Sequence, residues 1–217
     1  VTTSAKPGPR HLLSRLRSYL ILDPLIFAYT GVCGALSLLC SFFDDDGRMQ
    51  HWFARRWSRM ILATAMSPVE VIHGDTLRSV GPCVVVSNHL SAMDIPVLYT
   101  QLPFQFRIVA KKELFHYPFM GWHLRRSGQI PIDASSPRAT FKSLTSAIDD
   151  FRRGLSVVIF PEGGRSPSGE VQPFMNGAFY LAIKAQVPVL PVAIVGTYEM
   201  LPMNTFHIKP RRLRFVV

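Results

Sequence analysis

Leu25 to Phe43 runs for nineteen residues without a charged side chain. A helix of that length crosses a hydrocarbon core. Arg10, Arg15 and Arg17 precede it, and no clear small-x-small cleavage site accompanies it, which favours a retained anchor over a removed signal. A second periodic segment begins at Met49. Met49, Trp52, Phe53, Trp57, Met60 and Ile61 recur at helical spacing up to Thr64, with Arg55 and Arg59 on the flank and Arg48 nearby. A basic helix with tryptophans suits a membrane interface; the same stripe also suits packing on a core. Cations at both ends of the first helix compete in setting its orientation, and a partly inserted two-helix hairpin returning to the same side resolves the conflict. Residues 1–66 are therefore expected to form a membrane-anchoring helical hairpin.

Past Val69 the period changes. Val69 to His73 and Pro82 to Val86 read as strands around a Gly74-Asp75 turn, and Ile95 to Leu102 as a short helix. Phe106 to Ala110 reads as a strand, Phe119 to Ser127 as a helix and Gln129 to Ile132 as a strand. Ser136-Pro137 opens a helix with a hydroxyl cap and a first-turn proline; Phe141, Leu144, Ile148 and Phe151 share one face, and Gly154 closes it. Ser156 to Phe160 and Val189 to Val195 are buried strands, with a helix over Pro173 to Gln186. Apolar runs linked by helices predict an α/β domain over residues 67–217: a mostly parallel sheet flanked by helices on both faces. Arg214-Phe215-Val216-Val217 ends the chain inside what reads as a further strand, so the natural protein is expected to continue.

Composition narrows the partners. The chain has 217 residues, 48% of them hydrophobic, and a formal charge of +10. That charge favours anionic partners. Nucleic acid is excluded as the expected partner because the basic residues lie beside apolar segments and no reading motif is present. Cys33, Cys40 and Cys83 show no disulfide or zinc spacing, which suits a reducing cytoplasmic face. No metal set is expected, since His116 and His123 lack a carboxylate at helix-face spacing and read as surface or interfacial side chains. No P-loop is present.

Two segments carry the chemistry, each directly after a strand. In Ser87-Asn88-His89-Leu90-Ser91-Ala92-Met93-Asp94 an imidazole and a carboxylate stand five residues apart. In Phe160-Pro161-Glu162-Gly163-Gly164-Arg165-Ser166 a carboxylate and a guanidinium bracket two glycines. Taken singly, Asp94 reads as a helix N-cap and Gly163-Gly164 as a turn. Taken together, they read as a base with its orienting partner and an anion grip. Ligand sites in open α/β sheets gather at the carboxyl ends of strands, so segments some seventy residues apart can meet at one edge. Five helical residues span about 140° of rotation. Contact between the two side chains therefore needs His89 on the turn before the helix and Asp94 at its start.

These motifs resemble the glycerolipid acyltransferase family, the 1-acyl-glycerol-3-phosphate acyltransferases. Asn88-His89-(four residues)-Asp94 resembles its first motif. Ala110-Lys111-Lys112-Glu113-Leu114-Phe115, Pro118-Phe119-Met120-Gly121 and Gly128-Gln129-Ile130-Pro131-Ile132-Asp133 resemble the second. The Phe160 segment resembles the third, and Val187-Pro188-Val189-Leu190-Pro191-Val192 the fourth. The chain departs at Gly164, where the family commonly has Thr, and at Pro131, where an aliphatic residue is usual. The resemblance implies an N-terminal membrane hairpin and direct attack of the acceptor hydroxyl on an acyl thioester.

The expected reaction moves a fatty acyl group from a thioester to lysophosphatidic acid. His89 is the expected general base, with Asp94 fixing its tautomer. Arg165 is expected to grip the acceptor phosphate as a bidentate fork, joined by Lys111 with Lys112 as the fallback. Glu162 is expected to orient Arg165 or the acceptor glycerol, and backbone N–H groups around Gly163 to cradle phosphate. Ser87 and Ser91 are rival covalent nucleophiles, but neither sits in a Gly-x-Ser-x-Gly elbow. No cofactor is expected beyond acyl-CoA or acyl-carrier protein as cosubstrate. An anionic membrane is the expected surface, with the catalytic domain on its cytoplasmic side. Glycerol 3-phosphate or another lysophospholipid is the alternative acceptor; a catalytically silent lipid-binding protein and a lipid hydrolase are the alternatives of a different class.

Overall fold

The structure is a computed structural model and describes residues 9–133 and 135–217. Residues 1–8 of the expected anchor lie outside the described residues, as does the side chain of Arg10. Helix α1 (Pro9–Arg17) continues through a π-helical turn (Ser18–Leu22) into α2 (Asp23–Cys40). The turn widens where Pro24 has no N–H to return to the preceding turn. Ser18 Oγ fills the same region by donating to the Phe206 carbonyl and accepting from Ile208 N. The stretch Leu12–Cys40 is long and apolar enough to cross a membrane, and only 17% of its most apolar window is buried, unlike a core helix.

After Gly47, whose φ of 70° suits a residue without Cβ, the chain turns into α3 (Arg48–Thr64). Of the two readings of its stripe, packing on the core describes the C-terminal half of the helix. Ile61, Leu62 and Ala65 belong to the main core, and Trp57 Nε1 donates to Thr30 Oγ1 of α2 at 2.8 Å. Arg55 Nη1 donates to the Leu102 carbonyl at 2.6 Å. Only part of the stripe faces out: Trp52 is exposed, with Phe53 and the Arg56 guanidinium against its ring. Pattern alone could not separate the two sides, because an aromatic and an arginine suit either a lipid interface or a helix junction.

The remaining elements build one seven-stranded sheet. In chain order they are β1 (Val69–Ile72), α4 (Thr76–Ser79), β2 (Val84–Ser87), α5 (Asp94–Gln101) and β3 (Phe106–Lys111). A 3₁₀ turn (Lys112–His116), α6 (Met120–Arg126), β4 (Ile130–Ile132), α7 (Pro137–Ser146) and α8 (Ile148–Arg152) follow. The chain closes with β5 (Ser156–Ile159), α9 (Gly177–Ala185), β6 (Val189–Val195), α10 (Thr197–Met200) and β7 (Leu213–Val216). The order across the sheet is β1-β7-β6-β2-β5-β3-β4. The five strands from β6 to β4 are mutually parallel; β7 meets β6 antiparallel and pairs in parallel with β1. The sheet is thus mostly parallel and flanked by helices, as the apolar runs predict.

Three local expectations give way. The strands around Gly74-Asp75 are not neighbours, because β7 and β6 lie between them. The helix predicted from Ser136 does start there, with Ser136 Oγ accepting Ala139 N, but it breaks at Ala147 into α7 and α8. The helix predicted from Pro173 begins only at Gly177, since residues 173–176 form the end of the loop that covers the third motif. Pro131 is tolerated because β4 is an edge strand.

Alternation along β2 and β5 divides the core. Val85 and Val158 face α3 and α5 on one side. Val84, Val86, Val157 and Ile159 face α7, α8 and α9 on the other. With both faces covered, every β2 residue is buried.

Candidate active site

β2 and β5 are adjacent and parallel, with Val86 opposite Ile159. The residues leaving their carboxyl ends therefore emerge side by side. Asn88 ends β2 in a particular way: its side-chain amide accepts from Ile194 N at 2.8 Å and donates to the Ile194 carbonyl at 2.9 Å. The side chain thus replaces one rung of the β2–β6 ladder, and the backbone is released to turn towards β5. His89 lies on that turn and Asp94 is the first residue of α5, the arrangement the spacing requires.

His89 Nδ1 and Asp94 Oδ2 are 2.9 Å apart. The same oxygen accepts from Leu90 N at 2.8 Å and Ser91 N at 2.9 Å. Asp94 is therefore not an N-cap, because its donors precede it instead of lying in the helix. Those two amides hold a fully buried carboxylate in one orientation, which assigns the Nδ1–H tautomer to His89. Nε2 makes no hydrogen bond among the described residues, and the side chain is 16% exposed. Phe160 stacks on the ring with centroids 4.0 Å apart and planes 18° from parallel. Ser87 and Ser91 are buried and bond to the carbonyls of Asn88 and Leu201, so neither approaches His89 as a nucleophile would.

The third motif closes over the first. Glu162 Oε1 accepts His89 N at 2.6 Å, and Oε2 accepts Gln172 N at 2.8 Å. Of the two expected roles of Glu162, orienting Arg165 or the acceptor glycerol, the first is not seen: both of its oxygens accept from backbone N–H groups. Ser166 N donates to the His89 carbonyl at 2.9 Å. Gly163 has φ 72°, and a Cβ there would lie 2.3 Å from Met175 Cε, so both backbone and space demand glycine. Arg165 is exposed and makes no ion pair among the described residues. Lys111 Nζ stands 3.5 Å from where a Cβ on Gly164 would be, which puts it beside the third motif. A threonine Cβ at position 164 would meet only ordinary contact. Lys112, the fallback, is instead paired with Asp133. His123, expected at the surface or an interface, lies half-buried against α2, with its Nδ1 3.2 Å from Ser37 Oγ, and burial lowers its pKa.

A cleft of 440 Å³ opens beside this cluster. Leu90, Val171, Phe174 and the outward face of β6 line it, and its wall is more apolar than polar. A cleft of 520 Å³ between α3 and α5 contains none of the motif residues. Among the described residues no group of three metal-ligating side chains occurs.

The acyltransferase family model matches residues 68–195, more than half of the chain. The chain belongs to the acyltransferase family. Within it, the chain is 38% identical over 124 residues to a chloroplastic 1-acyl-sn-glycerol-3-phosphate acyltransferase of Brassica napus, covering 57% of this chain and 36% of that protein. A 1-acyl-sn-glycerol-3-phosphate acyltransferase of Chlamydomonas reinhardtii is 31% identical over 226 residues, covering 99% of this chain and 66% of that protein. The chain thus spans less than two thirds of either relative's length. The crystal structure of the 1-acyl-sn-glycerophosphate acyltransferase of Thermotoga maritima superposes with a TM-score of 0.71 at 29% identity, covering 95% of this chain and 84% of that one. For this member of the acyltransferase family, the candidate site residues come from separate segments inside the matched region, and parallel pairing of β2 with β5 joins the first and third motifs. Glu162 and Asn88 are positioning residues whose contacts the motifs did not disclose; a side chain that pairs with a distant backbone carries no local signal.

Proposed function

We propose that the chain transfers a fatty acyl group from an acyl thioester to the free hydroxyl of lysophosphatidic acid, forming phosphatidic acid. The observation that carries this reading is the His89–Asp94 pair with Nε2 unengaged, under a third motif whose Arg165 makes no ion pair among the described residues. In this reading Nε2 takes the acceptor proton as the hydroxyl oxygen bonds to the thioester carbonyl carbon. Asp94 stabilises the resulting imidazolium. The carbon–sulfur bond then breaks, and the imidazolium returns its proton to the departing sulfur. Arg165 and Lys111 grip the acceptor phosphate, and the apolar cleft beside Leu90 receives an acyl chain. The relatives' names and the Thermotoga enzyme support the choice of acceptor. The apolar Leu12–Cys40 helix supports membrane anchorage; in this reading the sheet lies on the cytoplasmic side.

The test is purified protein with an acyl thioester, with and without lysophosphatidic acid, following thiol release and lipid product. Transfer requires release that depends on acceptor. Equal release without acceptor identifies a hydrolase, and none in either case identifies a binding protein. His89→Ala should lower turnover by about 10²- to 10⁴-fold while leaving the fold intact. Asp94→Asn should also be strongly impaired, since the amide loses both the charge and the fixed acceptor. Near-normal turnover by a folded His89→Ala protein would remove the base from the mechanism.

A further inference from the structure

A second apolar surface, unused by the chemistry above, stands on the loop and helix that follow Lys111. Phe119 is 70% exposed and Trp122 52% exposed, with Tyr117 and Met120 exposed beside them. The two large rings touch edge to face, with centroids 5.2 Å apart. The backbone is built to hold them there. Phe119 has φ 60° and ψ −59°, and Met120 N donates to the Pro118 carbonyl at 2.6 Å. That is a γ-turn of the rare, strained sense, on a bulky aromatic residue. Gly121 makes the turn possible: a Cβ there would lie 2.1 Å from the Phe115 carbonyl oxygen. Strain is spent on keeping an aromatic pair in water, where it gains nothing from burial.

We infer that this knuckle, Tyr117 to Arg126, is a second membrane-docking element that inserts Phe119 and Trp122 into an anionic bilayer surface. Two observations select a bilayer as the occupant. The first is continuity with the candidate span. α6 lies against α2 through His123 and Ser37, and the Arg126 guanidinium sits 4.6 Å over the ring of Phe42, itself exposed just past the end of α2. The second is charge. Arg125 and Arg126 are exposed on the same short helix, and the whole chain carries +10. Aromatic side chains that enter the headgroup layer, with arginines at their edge, match both terms of interfacial binding. The geometry adds a purpose. The knuckle follows Lys111 after one 3₁₀ turn, so docking it would set the phosphate side of the site at the depth of a lipid headgroup.

This inference rests on the membrane anchorage proposed above, and the experiment separates the two. The full chain is bound to phosphatidylcholine–phosphatidylglycerol vesicles carrying brominated acyl chains, and tryptophan quenching is compared with that of Trp122→Phe. The conservative variant keeps the fold, and Trp52 and Trp57 report independently of it. Trp122→Phe should lose a quenched component that the parent shows. Phe119→Ser/Trp122→Ser should still bind through α1 and α2, but about ten-fold or more weakly, because two large apolar side chains no longer leave water. Unchanged quenching in Trp122→Phe overturns the proposal and leaves the anchor standing. A parent chain that binds no vesicle overturns both. Self-association in detergent that the double serine variant abolishes would assign the patch to a second copy, and also overturns it.

Discussion

Arg165 is the residue whose surroundings distinguish a grip from a structural role. Its neighbour Glu162 is committed to two backbone amides, and Arg165 makes no ion pair among the described residues. In the proposed reading, removing it should act mainly on the acceptor. Arg165→Ala should raise the acceptor KM more than the thioester KM. Arg165→Lys should recover part of the loss, since an ammonium supplies charge but no planar pair of donors. Steady-state kinetics with each substrate varied in turn checks this. An equal change in both KM values, or a defect confined to the thioester, contradicts the assignment.

At the scale of elements, the exit of β2 matters more than the strand itself. Ile194 is fully buried, and the Asn88 side chain satisfies both of its peptide groups. Asn88→Ala leaves a buried N–H and a buried carbonyl unpaired, at a cost of about 1–3 kcal/mol each. Thermal unfolding should move to lower temperature. Turnover of the folded fraction should fall as well, because the His89 turn is no longer tied to β6. Asn88→Asp can accept from Ile194 N but cannot donate to its carbonyl, so it should not restore stability. An Asn88→Ala protein with parental melting would show that the rung contributes nothing. The same scale frames the interrupted helix after Ser136: capping and periodicity were legible, whereas the break falls at Ala147, which is buried in the core with residues of α7, α8 and α9.

At the scale of the molecule, the N-terminal helices differ in how they meet the core. α1 and α2 present an apolar surface, but α3 is built into the core through Ile61, Leu62 and Ala65 and held to α5 by Arg55. Removing residues 1–42 should weaken vesicle binding far more than Phe119→Ser/Trp122→Ser does, with the sheet still folded. Removing residues 1–66 should expose the core face of α5 and give aggregated protein. Circular dichroism and vesicle flotation distinguish the outcomes; a well-folded 67–217 fragment would show that α3 is dispensable. The α3 junction also ties stability to pH. His51 packs against Tyr99 and Phe106, and burial, with Arg55 and Arg107 nearby, lowers its pKa from 6.5 to about 4. Between those values the unfolded chain binds a proton that the folded chain refuses. Stability should therefore fall as pH drops from 6.5 towards 4 and level off below, by at most about 3 kcal/mol. His51→Phe should flatten melting temperature across that window, and an unchanged pH slope would exclude His51 as its source.

The sequence by itself determined the parallel-sheet class, most of its strands, and the residue types of the site. Buried valine runs in β2 and β5 admit few other arrangements, and His89, Asp94, Lys111 and Arg165 are chemically legible wherever they stand. The spacing of His89 and Asp94 also required the turn-then-helix geometry that is observed. Only the tertiary structure decided which segments meet. Strand order is set by crossovers and packing on both faces, so the pairing of β2 with β5, the insertion of β7 beside β1 and the separation of β1 from β2 leave no local trace. The same holds for side chains with two apolar or hydrogen-bonding uses. Trp57 and Arg55 went to helix junctions, Lys112 to Asp133 and Glu162 to backbone amides, because each found a partner distant in the chain whose position periodicity does not encode.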